Sequence, residues 1–254
     1  MALENYVYLK ELAKKGLRLD ERGYLDRREV NIKTGIINHA DGSASVSIGN
    51  TRVIAGVKVL PGVPYPDKPD EGSLVVNFEA SDLASNYPVA DKILYSVEIG
   101  RVTDRAIRES KMIDMKKLAI EPGVKSLFVY IDLYAINNDG NLLDAANLAA
   151  VAALLTTKYK AEGSETELTL PIDRDKIPFS STFVKIENRI FFDPNQLEEN
   201  ISDARLTVGV SDAVNSIQKG GDGFFTLEEV DFCVEKAFLM KEKTKALVKD
   251  LLQS

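Results

Sequence analysis

The sequence predicts an α+β fold built from two similar β-rich halves that each carry packed helices, and three observations lead to that prediction. Strand patterns precede helix patterns twice along the chain, instead of alternating one by one as in a Rossmann or barrel fold. Residues 142–155 are Ala and Leu on nearly every side, which is typical of a helix packed around its whole circumference. Thr226 and Glu229 have the spacing of a capping box and predict the start of a long closing helix.

The first half is predicted over residues 1–165 and begins with an amphipathic helix within residues 1–16, which Gly16 ends. Alternating apolar residues then predict a series of strands, two of them joined by a hairpin at Gly49-Asn50. A stretch rich in Pro and Gly predicts a loop. The predicted elements after the first helix are strands at 30–32, 44–48, 53–60, 73–79 and 124–135, a loop at 61–72 and a helix at 91–109.

The second half is predicted over residues 166–254, after a loop around Gly163. Short strands dominate it, and the capped helix closes the chain with an apolar stripe that includes Val230, Val234 and Phe238. The predicted strands are 182–186, 189–192, 206–210 and 216–219.

Composition limits the functions that the chain can have. At 254 residues, 44% hydrophobic and 28% charged, it can bury a sizeable core without disulfides or metals. The formal net charge of −7 argues against a protein that binds nucleic acid over its whole surface, so any RNA contact must be local. The single Cys233 cannot form an intrachain disulfide, and the longest apolar stretch, 148–155, is far short of the roughly 20 residues of a membrane helix. We see no secretion signal and expect a cytoplasmic protein.

Common catalytic and metal-binding arrangements are missing. His39 is the only histidine and is expected in a turn, while Cys233 is expected in or near the core. One Cys and one His at unrelated positions cannot make a zinc site. The Gly-rich segment 219–229 is not a calcium loop, because Phe224 and Thr226 occupy positions that need oxygen ligands, and it is not a P-loop. We therefore expect no metal and no cofactor.

Six segments in collinear order over nearly the whole chain resemble one known family. They are Gly16–Arg28, Asp41–Lys58, Glu71–Phe78, Glu98–Ser110, Asp139–Leu155 and the final GGDGFFTLEEVDF. The resemblance is to the RNase PH family, which contains phosphorolytic RNases, polynucleotide phosphorylase and the ring subunits of the RNA exosome. Within it, the chain looks most like the non-catalytic RNase PH-like ring subunit of the archaeal exosome. The resemblance implies the RNase PH fold, which is ribosomal protein S5 domain 2-like, in agreement with the order of elements.

The phosphate site of the family is degenerate in this sequence. Active members bind the attacking phosphate through a Gly-Ser-Arg run at the start of the central helix, where hydroxyl and guanidinium donors supplement backbone amides. The matching positions here are Asn141, Leu142 and Leu143, followed by Asp144. Because two leucines donate no hydrogen bond and Asp144 repels phosphate, we expect a buried helix start and no phosphate site.

The metal site of the family is also degenerate. Active members carry two aspartates six residues apart that hold a divalent cation. An ungapped alignment of residues 193–205 places Glu199 and Arg205 at those positions. Glu199 can still offer an oxygen, but a guanidinium cannot ligate a cation. We therefore predict no catalytic residues and no phosphorolysis by the isolated chain.

Three arginines form a stripe on the helix predicted at 91–109. Arg101, Arg105 and Arg108 fall within about 60° of one another at 100° per residue. They could follow a phosphate backbone, or they could belong to an ordinary salt-bridged surface with Glu98 and Asp104. The resemblance favours RNA binding, because exosome subunits of this kind line a central channel with basic side chains from this helix, and Arg101 is the first candidate.

The resemblance further implies a set of partners. It predicts a heterodimer with a catalytic RNase PH-like subunit, three copies of which form a hexameric ring with RNA-binding cap subunits on one face and single-stranded RNA inside. Two alternatives remain open from the sequence. One is a free-standing phosphorolytic exoribonuclease, and the other is a module on the same fold that does not bind RNA.

Overall fold

A computed structural model describes residues 3–81, 84, 89–160 and 165–249. The helices are α1 (Leu3–Lys14), α2 (Val89–Ser110), α3 (Leu142–Leu155), α4 (Gln196–Ile201) and α5 (Leu227–Leu247). The strands are β1 (Val30–Thr34), β2 (Gly42–Ile48), β3 (Thr51–Gly62), β4 (Ser73–Ala80), β5 (Ala119–Glu121), β6 (Lys125–Asn137), β7 (Lys158–Lys160), β8 (Glu167–Thr169), β9 (Phe179–Ile186), β10 (Arg189–Phe192), β11 (Ala204–Val210) and β12 (Val214–Gly220).

The first half contains a six-stranded sheet in the order β1-β2-β3-β6-β4, with the short β5 also paired to β6. Neighbouring strands are antiparallel except for β4 and β6, which are parallel. A parallel pair needs a crossover connection, and α2 lies in that connection. The pairing leaves β4 at one edge of the sheet, beside α2.

The second half contains a four-stranded antiparallel sheet in the order β10-β9-β11-β12. Alternate residues of β9 and β10 point to opposite faces, and different helices cover the two faces. On one face Phe183 and Phe192 join a buried cluster with Cys233 of α5. On the other face Val184 and Phe191 join a second cluster to which α1 and α4 contribute.

Helix α3 joins the two halves. All of its residues from Leu142 to Leu154 are buried, and it packs against β2 and β3 of the first sheet and β9 of the second. Its high content of alanine leaves few bulky side chains at these contacts. The start of α3 therefore lies inside the protein, between the two sheets.

The structure confirms the α+β fold and the main predicted helices and strands, including the apolar central helix and the capping box of Thr226 and Glu229. His39 lies in an exposed turn and Cys233 is fully buried, as expected. The predicted loop at 61–72 is shorter than expected, because β3 continues to Gly62 and pairs there with β6. The predicted loop around Gly163 lies outside the described residues.

Several short elements were missed by the sequence analysis, namely β5, β7, β8, α4 and a 3₁₀ turn at Met115–Leu118. Each has at most six residues, too few for periodicity to be visible. Within the described ranges, none of the helices is long and apolar enough to cross a membrane.

Candidate functional site

The start of α3 is enclosed by a loop from the second half of the chain. Asn141 caps the helix in a left-handed conformation (φ +60°), and Gly140 before it also has a positive φ of +81°. A Cβ atom on Gly140 would lie only 2.4 to 2.7 Å from backbone atoms of residues 194–196. Only glycine allows this close approach, so the loop of residues 193–196 lies directly on the helix start.

Three carboxylates of the protein surround Asn141. Its backbone N–H donates a hydrogen bond to Glu199 Oε1 at 2.8 Å. Its side-chain Nδ2 donates to Asp193 Oδ1 at 2.7 Å and to Asp144 Oδ2 at 3.0 Å. Amide donors at a helix N-terminus favour a bound anion, and here the carboxylates of the protein itself accept their hydrogen bonds.

Asp193 is held by two arginines from the segment before β1. Arg28 donates from Nε to Asp193 Oδ2 at 3.0 Å and from Nη2 to Oδ1 at 2.8 Å, and Arg22 Nη1 lies 3.0 Å from Oδ2. Burial alone would raise the pKa of Asp193, but the hydrogen bonds and the charge of Arg28 lower this pKa to about 2. Asp193 is therefore a permanent internal anion at neutral pH.

Asp144 occupies a different electrostatic environment. Burial raises its pKa to about 6, against the opposing effects of the Arg27 charge and of hydrogen bonds from Asn141 and Thr182. Thr182 Oγ1 donates to Asp144 Oδ1 at 2.8 Å, while Arg27 Nη2 stays 3.8 Å from Oδ2. Asp144 thus adds negative charge directly after Leu143, the position at which the sequence alignment predicts the arginine of the family's phosphate site.

Glu199 and Arg205 are the residues that the ungapped sequence alignment predicts at the positions of the family's metal-binding aspartates. Burial raises the pKa of Glu199, which bonds to Asn141. Arg205 is largely buried and its Nη2 lies 2.5 Å from Glu98 Oε1 of α2, an oxygen that also accepts from Gln218 Nε2 at 3.1 Å. The guanidinium therefore has a structural partner of its own. Among the described residues, no group of three or more His, Cys, Asp or Glu side chains could hold a metal ion.

The three arginines of α2 have different surroundings. Arg108 donates to Asp104 at 2.7 Å and to the carbonyl oxygen of Leu74 at 2.9 Å, which matches the salt-bridged alternative. Arg101 and Arg105 are exposed and, over the ranges that the structure describes, form no hydrogen bond or ion pair. Because Glu98 is paired with Arg205, it does not neutralise Arg101. Arg101 and Arg105 are thus the guanidinium groups of the stripe that remain available to a ligand.

A basic segment before β1 was not recognised from the sequence as part of this site. Arg18 forms two hydrogen bonds with Glu198, at 2.8 and 2.5 Å, and Arg28 donates to the carbonyl oxygens of Asp139, Gly140 and Pro194. These bonds fasten the segment over the loop that covers the start of α3. The density of arginines in residues 16–28 was visible, but their distant partners were not.

Comparison with family models gives two matches in chain order. Residues 26–160 match domain 1 of the 3′ exoribonuclease (RNase PH) family, and residues 176–238 match domain 2. The chain belongs to the RNase PH family. Its two β-rich halves with packed helices are the two domains of that family.

Relatives of this RNase PH-family chain cover nearly its whole length. It is 39% identical to the exosome complex component Rrp42 of Pyrococcus horikoshii over 259 aligned positions, covering 97% of this chain and 94% of that protein. Among solved structures, it is similar to a chain of the Archaeoglobus fulgidus exosome with RNA bound to the active site (TM-score 0.89, 37% identity, 95% of this chain and 98% of that one). It is also similar to a chain of an archaeal exosome core (TM-score 0.85, 37% identity, 95% and 96% covered).

Proposed function

We propose that this chain is a non-catalytic, RNA-guiding ring subunit of an archaeal RNA exosome. The observation that supports the absence of catalysis is the ion pair of Arg205 with Glu98, because the sequence alignment predicts Arg205 at the position of the family's second metal-binding carboxylate. A fixed positive charge at that position opposes a divalent cation, and phosphoryl transfer depends on such a cation to neutralise developing charge.

The start of α3 supports the same proposal. The backbone N–H and the side-chain amide of Asn141 are engaged by Glu199, Asp193 and Asp144. Leu142 and Leu143 bring no side-chain donor. Phosphate entering this region would have to displace buried carboxylates that are held by arginines and amide groups. Cleavage of the RNA phosphodiester bond would then take place on a neighbouring polypeptide.

The assembly that we propose is a heterodimer with a catalytic RNase PH-like subunit, repeated three times in a hexameric ring in the cytoplasm. The similarity over nearly the full length to Rrp42 proteins and to an archaeal exosome core supports a place in such a ring. RNA-binding cap subunits would lie on one face. Both halves of the chain, 1–165 and 166–254, would form one subunit of the ring. Arg101 and Arg105 of this subunit would contact single-stranded RNA.

Co-expression with a catalytic RNase PH-like subunit from the same genome tests this function. Light scattering should give the mass of a hexamer, and the complex should degrade single-stranded RNA from its 3′ end in the presence of phosphate. The degradation should stop when the catalytic subunit's own metal-binding aspartates are replaced, while the Glu199→Gln variant of this chain retains it. A ring whose activity depends on Glu199 would contradict the proposal.

A further inference from the structure

Glu98 lies three residues before Arg101 on α2, a spacing at which two helical side chains are neighbours on the same face. In the structure Glu98 points instead toward the second half of the chain. Its Oε1 lies 2.5 Å from Arg205 Nη2 of β11 and accepts a hydrogen bond from Gln218 Nε2 of β12 at 3.1 Å. The negative charge next to Arg101 is therefore already matched by a cation from another element.

Asp104 shows what an acid on this helix does when its partner comes from the helix itself. It lies four residues before Arg108 and pairs with it at 2.7 Å. Glu98 and Arg101 have nearly the same relationship along α2, yet Glu98 pairs with Arg205 of β11. The partner of the nearby acid is thus what distinguishes the free Arg101 from the neutralised Arg108.

The position of the Arg205 side chain is fixed by its surroundings. Gly220 is its cross-strand neighbour on β12, and a Cβ on Gly220 would lie 2.7 Å from Arg205 Nη2. The ring of Tyr95 on α2 lies 5.9 Å from the guanidinium carbon. Arg205 therefore extends over a strand position without a side chain and reaches Glu98 between β12 and α2.

We propose that Arg205 is a positioning residue for RNA binding, which keeps Glu98 from pairing with Arg101. Arg101 then keeps its charge for a phosphate group of single-stranded RNA, while Arg205 acts without touching the RNA. Without Arg205, Glu98 would pair with Arg101 as Asp104 pairs with Arg108. The inference rests on the proposed function and goes beyond it, because it gives Arg205 a role in RNA capture.

Two variants that break the same ion pair test this role. Arg205→Ala frees the acid, whereas Glu98→Gln removes it. RNA affinity is measured by filter binding on the assembled ring, with the catalytic subunit's metal-binding aspartates replaced so that RNA is bound and not degraded. For Arg205→Ala we expect a dissociation constant about threefold higher and a salt slope smaller by about 0.7, as for one lost phosphate contact on a single strand. Glu98→Gln should bind RNA at least as well as the unchanged ring.

Further variants separate the charge of Glu98 from the stability of the fold. The double variant Arg205→Ala with Glu98→Gln should restore the RNA affinity of the unchanged ring. Arg205→Met fills more of the vacated space than alanine and should weaken RNA binding as Arg205→Ala does. Lys185→Ala is the matched control, because it also removes one cation and breaks a pair of similar burial, that with Glu229 at 2.8 Å, whose side chains are 11% and 23% accessible. It should leave RNA affinity unchanged.

The outcomes distinguish this inference from the function on which it rests. Equal weakening by Arg205→Ala and Glu98→Gln would overturn it, because the ion pair would then only anchor α2. A double variant that binds RNA as weakly as Arg205→Ala would overturn it as well. If Arg101→Glu weakens RNA capture and neither Arg205→Ala nor Arg205→Met does, the inference fails and the RNA-guiding function stands. If Arg101→Glu has no effect, both fail together.

Discussion

Arg205 and Glu98, which are 107 positions apart in the sequence, form an ion pair of 2.5 Å that joins β11 to α2. The Arg205 side chain is 14% accessible and that of Glu98 is 25% accessible, so the pair is largely shielded from water. The ring of Tyr95 lies 5.9 Å from the guanidinium carbon. Arg205 therefore links the second half to the helix that carries the arginine stripe.

Replacing Arg205 with Ala should destabilise the protein, because it leaves Glu98 without its cation in a partly buried position. We expect a loss of about 1–3 kcal/mol in the free energy of unfolding, measured by denaturant titration. Lys14→Ala breaks a pair of similar length with Glu11, 2.8 Å, in which both side chains are about half accessible, and should change the free energy of unfolding much less than Arg205→Ala does. Equal losses for the two variants would contradict a structural role for Arg205.

Asp144 should make stability depend on pH between about 4 and 6. Its pKa in the folded protein is about 6, above the ordinary value of 3.8, so the folded state binds a proton in this window that the unfolded state does not. The free energy of unfolding should then fall as pH rises from 4 to 6, with a slope of at most about 1.4 kcal/mol per pH unit for this group.

Asp144→Asn should flatten that slope in denaturant titrations at pH 4.5, 5.5 and 6.5. Some slope should remain, because burial also raises the pKa of Glu199. Asp193 has the opposite effect on stability, in a lower pH range. Because its pKa is lowered to about 2, the free energy of unfolding should fall as pH falls from about 4 to 2. Asp222→Asn at an exposed position is the control and should keep the pH slope of the unchanged protein. If Asp144→Asn keeps that slope too, Asp144 is not the group responsible for it.

Arg101→Glu should weaken the capture of single-stranded RNA by the assembled ring by about tenfold at physiological salt, while assembly remains intact. Lys33→Glu is a matched control, because it makes the same change in net charge at an exposed position of β1, at the opposite edge of the sheet from β4. Arg108→Glu should affect RNA capture less than Arg101→Glu, since Arg108 is already engaged by Asp104 and Leu74. Filter binding at several salt concentrations distinguishes these cases, and equal RNA affinity for Arg101→Glu and Lys33→Glu would count against the stripe.

The fold could be predicted from the sequence where the pattern is local. Alternation along β6 and the continuous apolar surface of α3 each indicated the correct element, and the capping box marked the start of α5. The site could be predicted only in part, because its contacts join distant residues. Arg18 meets Glu198 across 180 positions and Arg28 meets Asp193 across 165, and neither pairing has a local signature.

The resemblance to the family predicts that side-chain donors for phosphate are missing at the start of α3, at Leu142 and Leu143. It did not predict which groups of the chain contact Asn141 there. The structure places Asp144, Asp193 and Glu199 around Asn141, and this arrangement follows from the loop of residues 193–196 packing on Gly140. Close packing of this kind depends on tertiary contacts that periodicity and composition do not encode.

The central claim is that bond cleavage does not occur on this chain, and a phosphorolysis assay on the purified, isolated protein tests it most directly. Single-stranded RNA, inorganic phosphate and Mg²⁺ are supplied, and the release of nucleoside diphosphates is measured for the unchanged chain and for Glu199→Gln. We predict that both release no more than a sample without protein. Release by the unchanged chain that disappears in Glu199→Gln would contradict the account, because it would show a working metal site beside Arg205.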